Sequence, residues 1–260
     1  MDKLPPQEKF FDFSDYSRPF SRLLVQAIKK TKISPLTFTT LSLVCGIVAS
    51  LLIYLNKFRL VISVLIILKS FFDAVDGELA RARNRPSYVG RFYDSVVDFI
   101  VNVSILFSLY LKFNEPFLKF ILLIILFHLQ GSIYNYYYVL KRHKVGGDLT
   151  SKINEKKIDS IYPYDNPFWF KVFHQLYLWI YSWQDELIHK LDKKAERLPN
   201  IPNSFMTITS LLGLGTQLLI ISFLILIGYE NLIFDLFLIY YSIFGIIVIL
   251  LRKIFWSVKE

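Results

Sequence analysis

Long uncharged runs alternate with short polar, basic connections along this chain. Residues 37–55 (TFTTLSLVCGIVASLLIYL) carry no charged side chain, and about 20 apolar residues suffice for a helix to cross the hydrocarbon core of a bilayer. Comparable runs cover 60–82, 92–111, 117–140, 204–228 and 231–251, so the pattern predicts six membrane-spanning helices. The second run ends in polar chemistry, and the third opens on it with Asp94 and Asp98. Residues 10–32 mix aromatics with cations, with Pro19 suited to a first helical turn. Residues 168–194 hold Trp169, Trp179 and Trp183 but are interrupted by Lys171, His174 and Gln175. Both segments predict helices lying at the headgroup level. The stretch 141–166 is polar, with a Gly pair and a Pro, and reads as a connection.

The expected fold is therefore an all-α integral membrane protein with six transmembrane helices plus N-terminal and mid-chain interfacial helices. It divides into an interfacial N-terminal segment (1–36), a four-span half (37–140) with a polar motif at 73–98, a loop with an interfacial helix (141–203), and the last two spans (204–260). Ile33-Ser34-Pro35 and Ile201-Pro202-Asn203-Ser204 lead into runs in similar ways, which reads as two helix starts rather than a duplication.

Composition supports the membrane reading. The 260 residues are 54% hydrophobic, 17% aromatic and only 20% charged, against roughly 45–50% apolar and about 25% charged for soluble chains. That excludes a disordered chain, and the lone Cys45 excludes an intrachain disulfide scaffold. No cleavable signal pattern is visible at the start. The formal charge of +9 points to anionic headgroups rather than nucleic acid, and its distribution orients the chain. Twenty-five of the 30 Lys and Arg fall before residue 37, around the 83–91 turn, in 141–200 or after 251. The opposite loops hold Lys57, Arg59, Lys112 and Lys119. By the positive-inside rule both termini, and the 73–98 motif with them, face the cytoplasm.

That motif carries the chemistry. Asp73 and Asp76 are three residues apart and Asp94 and Asp98 four apart, so each pair shares one helix face. Pro86 and Gly90 lie between them and turn the second helix back on the first. An Asp at mid-span costs roughly 2.5–3.5 kcal/mol on insertion scales, so four acids persist there only if protonated, paired or neutralised by cations. Hard oxygen donors without His or Cys suit Mg²⁺, Mn²⁺ or Ca²⁺ rather than zinc, and two divalent ions would balance four charges. Gly77 and Ala80 leave a gap for a planar base, and Arg81 one turn beyond Gly77 suits phosphate. A pyrophosphate-containing nucleotide follows. The acids alone would equally fit a divalent-cation transporter, or an ion-pair network with Lys69, Arg81, Arg83 and Arg91. Outside the motif, His128 reads as a satisfied structural group, Asp235 as a helix-start charge, and Tyr134 to Tyr138 (YNYYY) as an interface belt.

Residues 73–98 fit D-x2-D-G-x2-A-R-x8-G-x3-D-x3-D at all eight fixed positions, and in this the chain resembles the CDP-alcohol phosphotransferase family of membrane enzymes. The resemblance implies two divalent cations, Mg²⁺ or Mn²⁺, held by Asp73, Asp76, Asp94 and Asp98, with Asp98 also the general base. It implies a CDP-binding set of Gly77, Ala80, Arg81 and Gly90, with Ser87 added as in some members. Ser34, Pro35 and Thr37 match a donor-contacting segment in which this chain departs from the family by carrying Leu36. The implied activity moves a substituted phosphate from a CDP-alcohol to an acceptor alcohol and releases CMP, one of the two substrates being a lipid. No His follows Asp94 as it does in choline and ethanolamine enzymes, and Arg18-Pro19 resembles members that handle inositol phosphates. Both favour CDP-diacylglycerol as donor; CDP-choline or CDP-ethanolamine with diacylglycerol is the alternative. Lys141, Arg142 and Lys144 either meet a phosphorylated acceptor or anchor the chain to headgroups. Family resemblance also implies a homodimer through the third and fourth spans.

Overall fold

Helix starts and stops follow the local chemistry throughout the computed structural model, which describes residues 3–152, 155–156, 158 and 160–256. Every α-helix, 3-10 turn and π turn among them belongs to a helical architecture without strands. The main helices are α1 (Arg18–Ile28), α2 (Pro35–Tyr54), α3 (Arg59–Ala82), α4 (Tyr88–Phe113), α5 (Phe117–Lys144), α6 (Pro167–Leu191), α7 (Asn203–Thr209), α8 (Leu214–Ile227) and α9 (Glu230–Phe255), the last interrupted by a π turn at Leu236–Tyr240. Proline stands in the first turn of α1, α2 and α6, where its missing N–H costs nothing. Ser34, Ser87 and Asn166 cap α2, α4 and α6 by accepting from backbone N–H groups one turn in. Asn56, Asn84 and Asn114 take left-handed backbone at the turns between helices, a conformation Asn tolerates better than most residues.

Among the described residues four helices, α2, α4, α5 and α9, are long and apolar enough to cross a membrane, and α7 with α8 makes a fifth if that pair, bent by 48°, is one span. The expected second span, α3, is 24 residues long but is not among them, because Lys69, Asp73 and Asp76 interrupt its apolar run. The expected fifth span is broken at Gly213, whose backbone is extended (φ −68°, ψ 151°). The break accommodates the N-terminal segment. A Cβ on Gly215 would lie 1.8 Å from the Ser14 carbonyl oxygen, and the Gly215 N–H donates to Ser14 Oγ at 3.1 Å.

α2 packs against both α3 and α4. Its buried residues are Phe38, Thr39, Ser42, Gly46, Ala49, Ser50 and Ile53; Thr39, Ser42, Gly46 and Ala49 form a stripe of small residues at three- and four-residue spacing that lets helices approach closely. At Gly46 a Cβ would come within 2.3 Å of Val101 Cγ1 on α4. One apolar core joins Ile66, Val101, Ile105, Leu123, Phe127, Ile221 and Phe237. A second joins Tyr137, Leu140, Ile188, Ile201, Phe205 and Val248. The tyrosine run is thus a core element and not a belt: Tyr136, Tyr137 and Tyr138 are buried, and the Tyr137 hydroxyl donates to Asp192 Oδ2 at 2.7 Å. The same carboxylate receives the buried Arg252 guanidinium, tying the end of α9 to the end of α6. Arg83 donates to the carbonyls of Ile28, Lys29, Thr31 and Ile33 and so closes the end of α1 against α3.

Filling the gap beneath Val101 has a measurable consequence. Gly46→Leu should destabilise the bundle by about 1–3 kcal/mol, the usual cost of overpacking, seen as a lowered melting temperature in detergent; an unchanged melting point would show that α2 and α4 do not meet here.

Candidate active site

One cavity of about 1060 Å³ opens between α2, α3, α4, α5, α6 and the N-terminal segment. Its wall includes Asp73, Asp76, Gly77, Ala80 and Arg81 from α3, then Ser87, Gly90, Asp94 and Asp98 from α4 and the turn before it. The spacing expected from sequence is therefore realised: two antiparallel helices bring both acidic pairs to one cavity. Carboxylate oxygens of Asp73, Asp94 and Asp98 all lie within 4.8 Å of one another. Asp73 Oδ1 and Asp94 Oδ1 are buried without a hydrogen-bond partner. Hard donors that converge and remain unsatisfied fit a divalent cation. Asp76 stands beside this triplet, and its Oδ2 accepts from Thr39 Oγ1 at 2.5 Å.

Lys69 enters the same cluster. It is 1% exposed, its ammonium pairs with Asp98, and it lies 3.9 Å from Asp73 Oδ1. One turn before Asp73 on the same face, it supplies positive charge to the acids and fixes where the Asp98 carboxylate points. Arg81 folds back over Gly77, where a Cβ would meet its guanidinium nitrogens at 3.2 and 3.3 Å. The gap left by Gly77 is thus filled by a side chain that can swing away. Glu78, between them in sequence, gathers Arg18 at 2.8 Å and Arg81 at 3.4 Å.

Of the segment before α2, Ser34, Pro35 and Leu36 line the cavity together with Thr39; Thr37 does not. Thr39 carried a readable signal, since it alone of Thr37, Thr39 and Thr40 falls on the small-residue face of α2. Ser87 reaches the cavity while serving α4: its hydroxyl accepts from the Gly90 N–H at 2.9 Å and donates to Asp165 at 2.6 Å. Asp165 also accepts from the Tyr88 N–H at 2.8 Å, and Glu155 grips Arg91 through two hydrogen bonds of 2.5 and 2.7 Å. The connection after α5 is thereby fastened to the start of α4.

Away from the motif acids the cavity wall mixes cations with Asp12, Asp15 and Asp148. Lys3, Arg18, Arg81 and Arg142 all line it, and desolvation together with Arg18 pushes the Lys3 ammonium down to about 8. Of the three basic residues singled out at the end of α5, only Arg142 reaches the cavity, its guanidinium 5.2 Å from the Tyr138 ring centre. Lys141 is buried and donates to Glu8 and to the Ile201 carbonyl, both at 2.8 Å. Lys144 donates to the Glu196 carbonyl at 2.7 Å. Lys3 was not legible as a site residue, because nothing local marks a lysine that distant folding brings in. On α6, Tyr177, Tyr181 and Asp185 close the remaining side; burial and the neighbouring Glu155 push the Asp185 carboxyl up to about 7.

Comparison with known proteins agrees with this geometry. Residues 32–164, just over half the chain, match the family model described as CDP-alcohol phosphatidyltransferase. The chain is 36% identical over 107 residues to the bifunctional IPC transferase and DIPP synthase of Thermococcus kodakarensis, covering 41% of this chain and 23% of that protein. It is 33% identical over 96 residues to the archaetidylinositol phosphate synthase of Pyrococcus horikoshii, covering 35% of this chain and 50% of that one. The matched region thus spans from under a quarter to half the length of these relatives. No solved structure matches.

If the acids hold a cation, Asp94→Asn should weaken Mn²⁺ binding, measured by titration calorimetry, by at least the roughly 10- to 100-fold that loss of a supporting residue around a metal costs. Wild-type Mn²⁺ affinity in that variant would remove Asp94 from the site.

Proposed function

We infer from membership of the CDP-alcohol phosphatidyltransferase family, to which this chain belongs, that it moves a substituted phosphate from a CDP-alcohol to an acceptor alcohol and releases CMP. The observation that carries this reading is the convergence of Asp73, Asp94 and Asp98 within 4.8 Å in the same cavity as Gly77, Ala80 and Arg81. Asp73, Asp94 and Asp98, with Asp76 beside them, are the residues that would hold two divalent cations, Mg²⁺ or Mn²⁺. Such ions, when bound, neutralise charge on the diphosphate and on the leaving CMP. Arg81 swings from Gly77 to the diphosphate, and the space it leaves along Gly77 and Ala80 takes the cytidine. Gly90, Ser87, Ser34 and Pro35 complete the donor side; Thr39, through Asp76, takes the part expected of Thr37. Asp98 accepts the proton of the acceptor hydroxyl as its oxygen bonds to the β-phosphorus, while the bond from that phosphorus to CMP breaks and CMP leaves with the electron pair.

The cations of this wall favour an acceptor that itself carries phosphate. Lys3, Arg18 and Arg142 would receive that group, Arg in the bidentate manner it favours. The name of the Pyrococcus relative, an archaetidylinositol phosphate synthase, is consistent with a phosphorylated inositol in this role, and CDP-diacylglycerol is the favoured donor. In the membrane we place α3 as a sixth span, its charged turns sheltered by α1, α2 and α8, with α1 and α6 at the interface. The positive-inside bias then sets both termini and the cavity on the cytoplasmic side. A homodimer through α4 and α5 would use the halves distant from α6, where Ile100, Phe107, Leu118 and Leu122 are exposed.

The test is CMP release by purified protein from CDP-diacylglycerol with inositol phosphate, set against CDP-choline or CDP-ethanolamine with diacylglycerol. Turnover should stop in excess chelator and return with Mg²⁺ or Mn²⁺; Mn²⁺ flux into liposomes without CMP formation would favour a transporter instead. Asp98→Asn should lower the rate by roughly 10²–10⁴ while donor affinity stays near wild type. Retained turnover in that variant would show that Asp98 is not the base.

A further inference from the structure

His128 is the one buried imidazole on the cavity wall that the reaction above leaves without a task. It sits on α5, is 7% exposed and lines the same cavity as Asp94 and Asp98. Its Nδ1 lies 2.8 Å from the Ile124 carbonyl oxygen. A carbonyl only accepts, so Nδ1 carries the hydrogen and Nε2 of the neutral ring presents a lone pair. That Nε2 is buried with no hydrogen-bond partner. The ring cannot easily turn to find one, because it packs against Phe99 at 4.8 Å and Phe127 at 5.7 Å, with Tyr181 at 6.5 Å.

A second unsatisfied group stands nearby in the fold. Asn102 is four residues after Asp98, on the same face of α4. It is 2% exposed, lines the cavity, and its Oδ1 has no partner. The polar wall therefore continues past the acid cluster as Asn102 and His128, deeper between α4 and α5. Buried polar groups without partners are uncommon in folded proteins and call for an explanation such as a ligand. An apolar residue would fill the place of His128 with no such penalty.

We propose that His128 Nε2 accepts a hydrogen bond from a hydroxyl of the acceptor, and that the acceptor is accordingly a polyhydroxylated alcohol, with Asn102 meeting a further hydroxyl. This rests on the transfer reading. The ligand must bring donors, since the imidazole nitrogen offers only a lone pair. Acyl chains and an ionised diphosphate bring none. The cytidine, whose ribose hydroxyls and amino group do donate, is taken up along Gly77 and Ala80, on the other side of the acid cluster from Asn102 and His128. A polyol brings several, one to react at Asp98 and others to orient it. Diacylglycerol, with a single hydroxyl consumed in the reaction, would leave His128 unsatisfied. His128 is then an acceptor-binding residue that selects for hydroxyl-rich substrates.

The experiment compares wild type, His128→Leu and His128→Gln as full-length purified proteins. CDP-diacylglycerol and inositol phosphate serve as substrates, with inositol phosphate binding measured separately by calorimetry. Losing one hydrogen bond to a neutral group should raise the acceptor KM and weaken inositol phosphate binding about three- to tenfold in His128→Leu. The donor KM and melting temperature should hold, and His128→Gln, which offers an amide oxygen from the same position, should recover most of the loss. Equal inositol phosphate affinity in wild type and His128→Leu would overturn the assignment, as would donor and acceptor KM rising together with a fall in melting temperature. If wild type binds inositol phosphate in a His128-dependent way but releases no CMP, the transfer reading fails and the polyol site stands.

Discussion

Carboxylate oxygens held within 4.8 Å of one another among apolar helices set the terms for everything around them. Like charges so close repel, and burial removes the water that would screen them. The surroundings answer with Lys69 against Asp98 and Asp73 and with the Thr39 hydroxyl on Asp76. Each answer ties down a helix. Lys69 is on α3 and its partner Asp98 on α4; Thr39 brings in α2. The small-residue face of α2 then follows as a geometric requirement, because Thr39 reaches Asp76 only if α2 packs closely against α3 and α4. The chemistry of the site and the tightest packing in the bundle are parts of one constraint.

Charge is grouped unevenly within the cavity. Four acids share the α3–α4 seam, while Lys3, Arg18 and Arg142 gather with Asp12, Asp15 and Asp148 on the wall contributed by the N-terminal segment and the end of α5. Arg18 pairs with Asp15, and Arg142 lies near Asp148. Glu78 holds Arg18 and Arg81, and Glu155 holds Arg91, so these cations are paired with acids outside the Asp73, Asp94 and Asp98 triplet.

What was legible in the sequence was local. Helix-period spacing placed Asp73 with Asp76 and Asp94 with Asp98, and Pro, Ser and Asn marked where helices begin. The 60–82 run, read as a span that ends in polar chemistry, yields a 24-residue α3 whose acids keep it out of the class of helices apolar enough to cross a membrane by themselves. A continuous fifth span was expected because Gly213 and Gly215 look innocuous in an apolar run; their role depends on a partner segment two hundred residues away. For the same reason Lys3 was missed, and Lys141, which looked like a surface cation, lies buried between Glu8 and Ile201. His128 was judged by its sequence neighbours, none of which is acidic, whereas its meaning comes from α4 and α6.

The hook of the N-terminal segment onto the bend between α7 and α8 bears on how the protein is made. Phe13 donates to Ser210 across 197 positions of sequence, and Gly215 to Ser14 across 201. A growing chain that has inserted α2 through α5 already displays every acid of the motif and can pair Arg18 with Glu78 on α3. The contacts of Phe13 and Ser14 with the bend cannot yet form. Such long-range closure is entropically slow and waits until α7 and α8 emerge. The acids are thus in place before the residues of the bend, Leu214 and Gly215, that join Ser14 on the cavity wall.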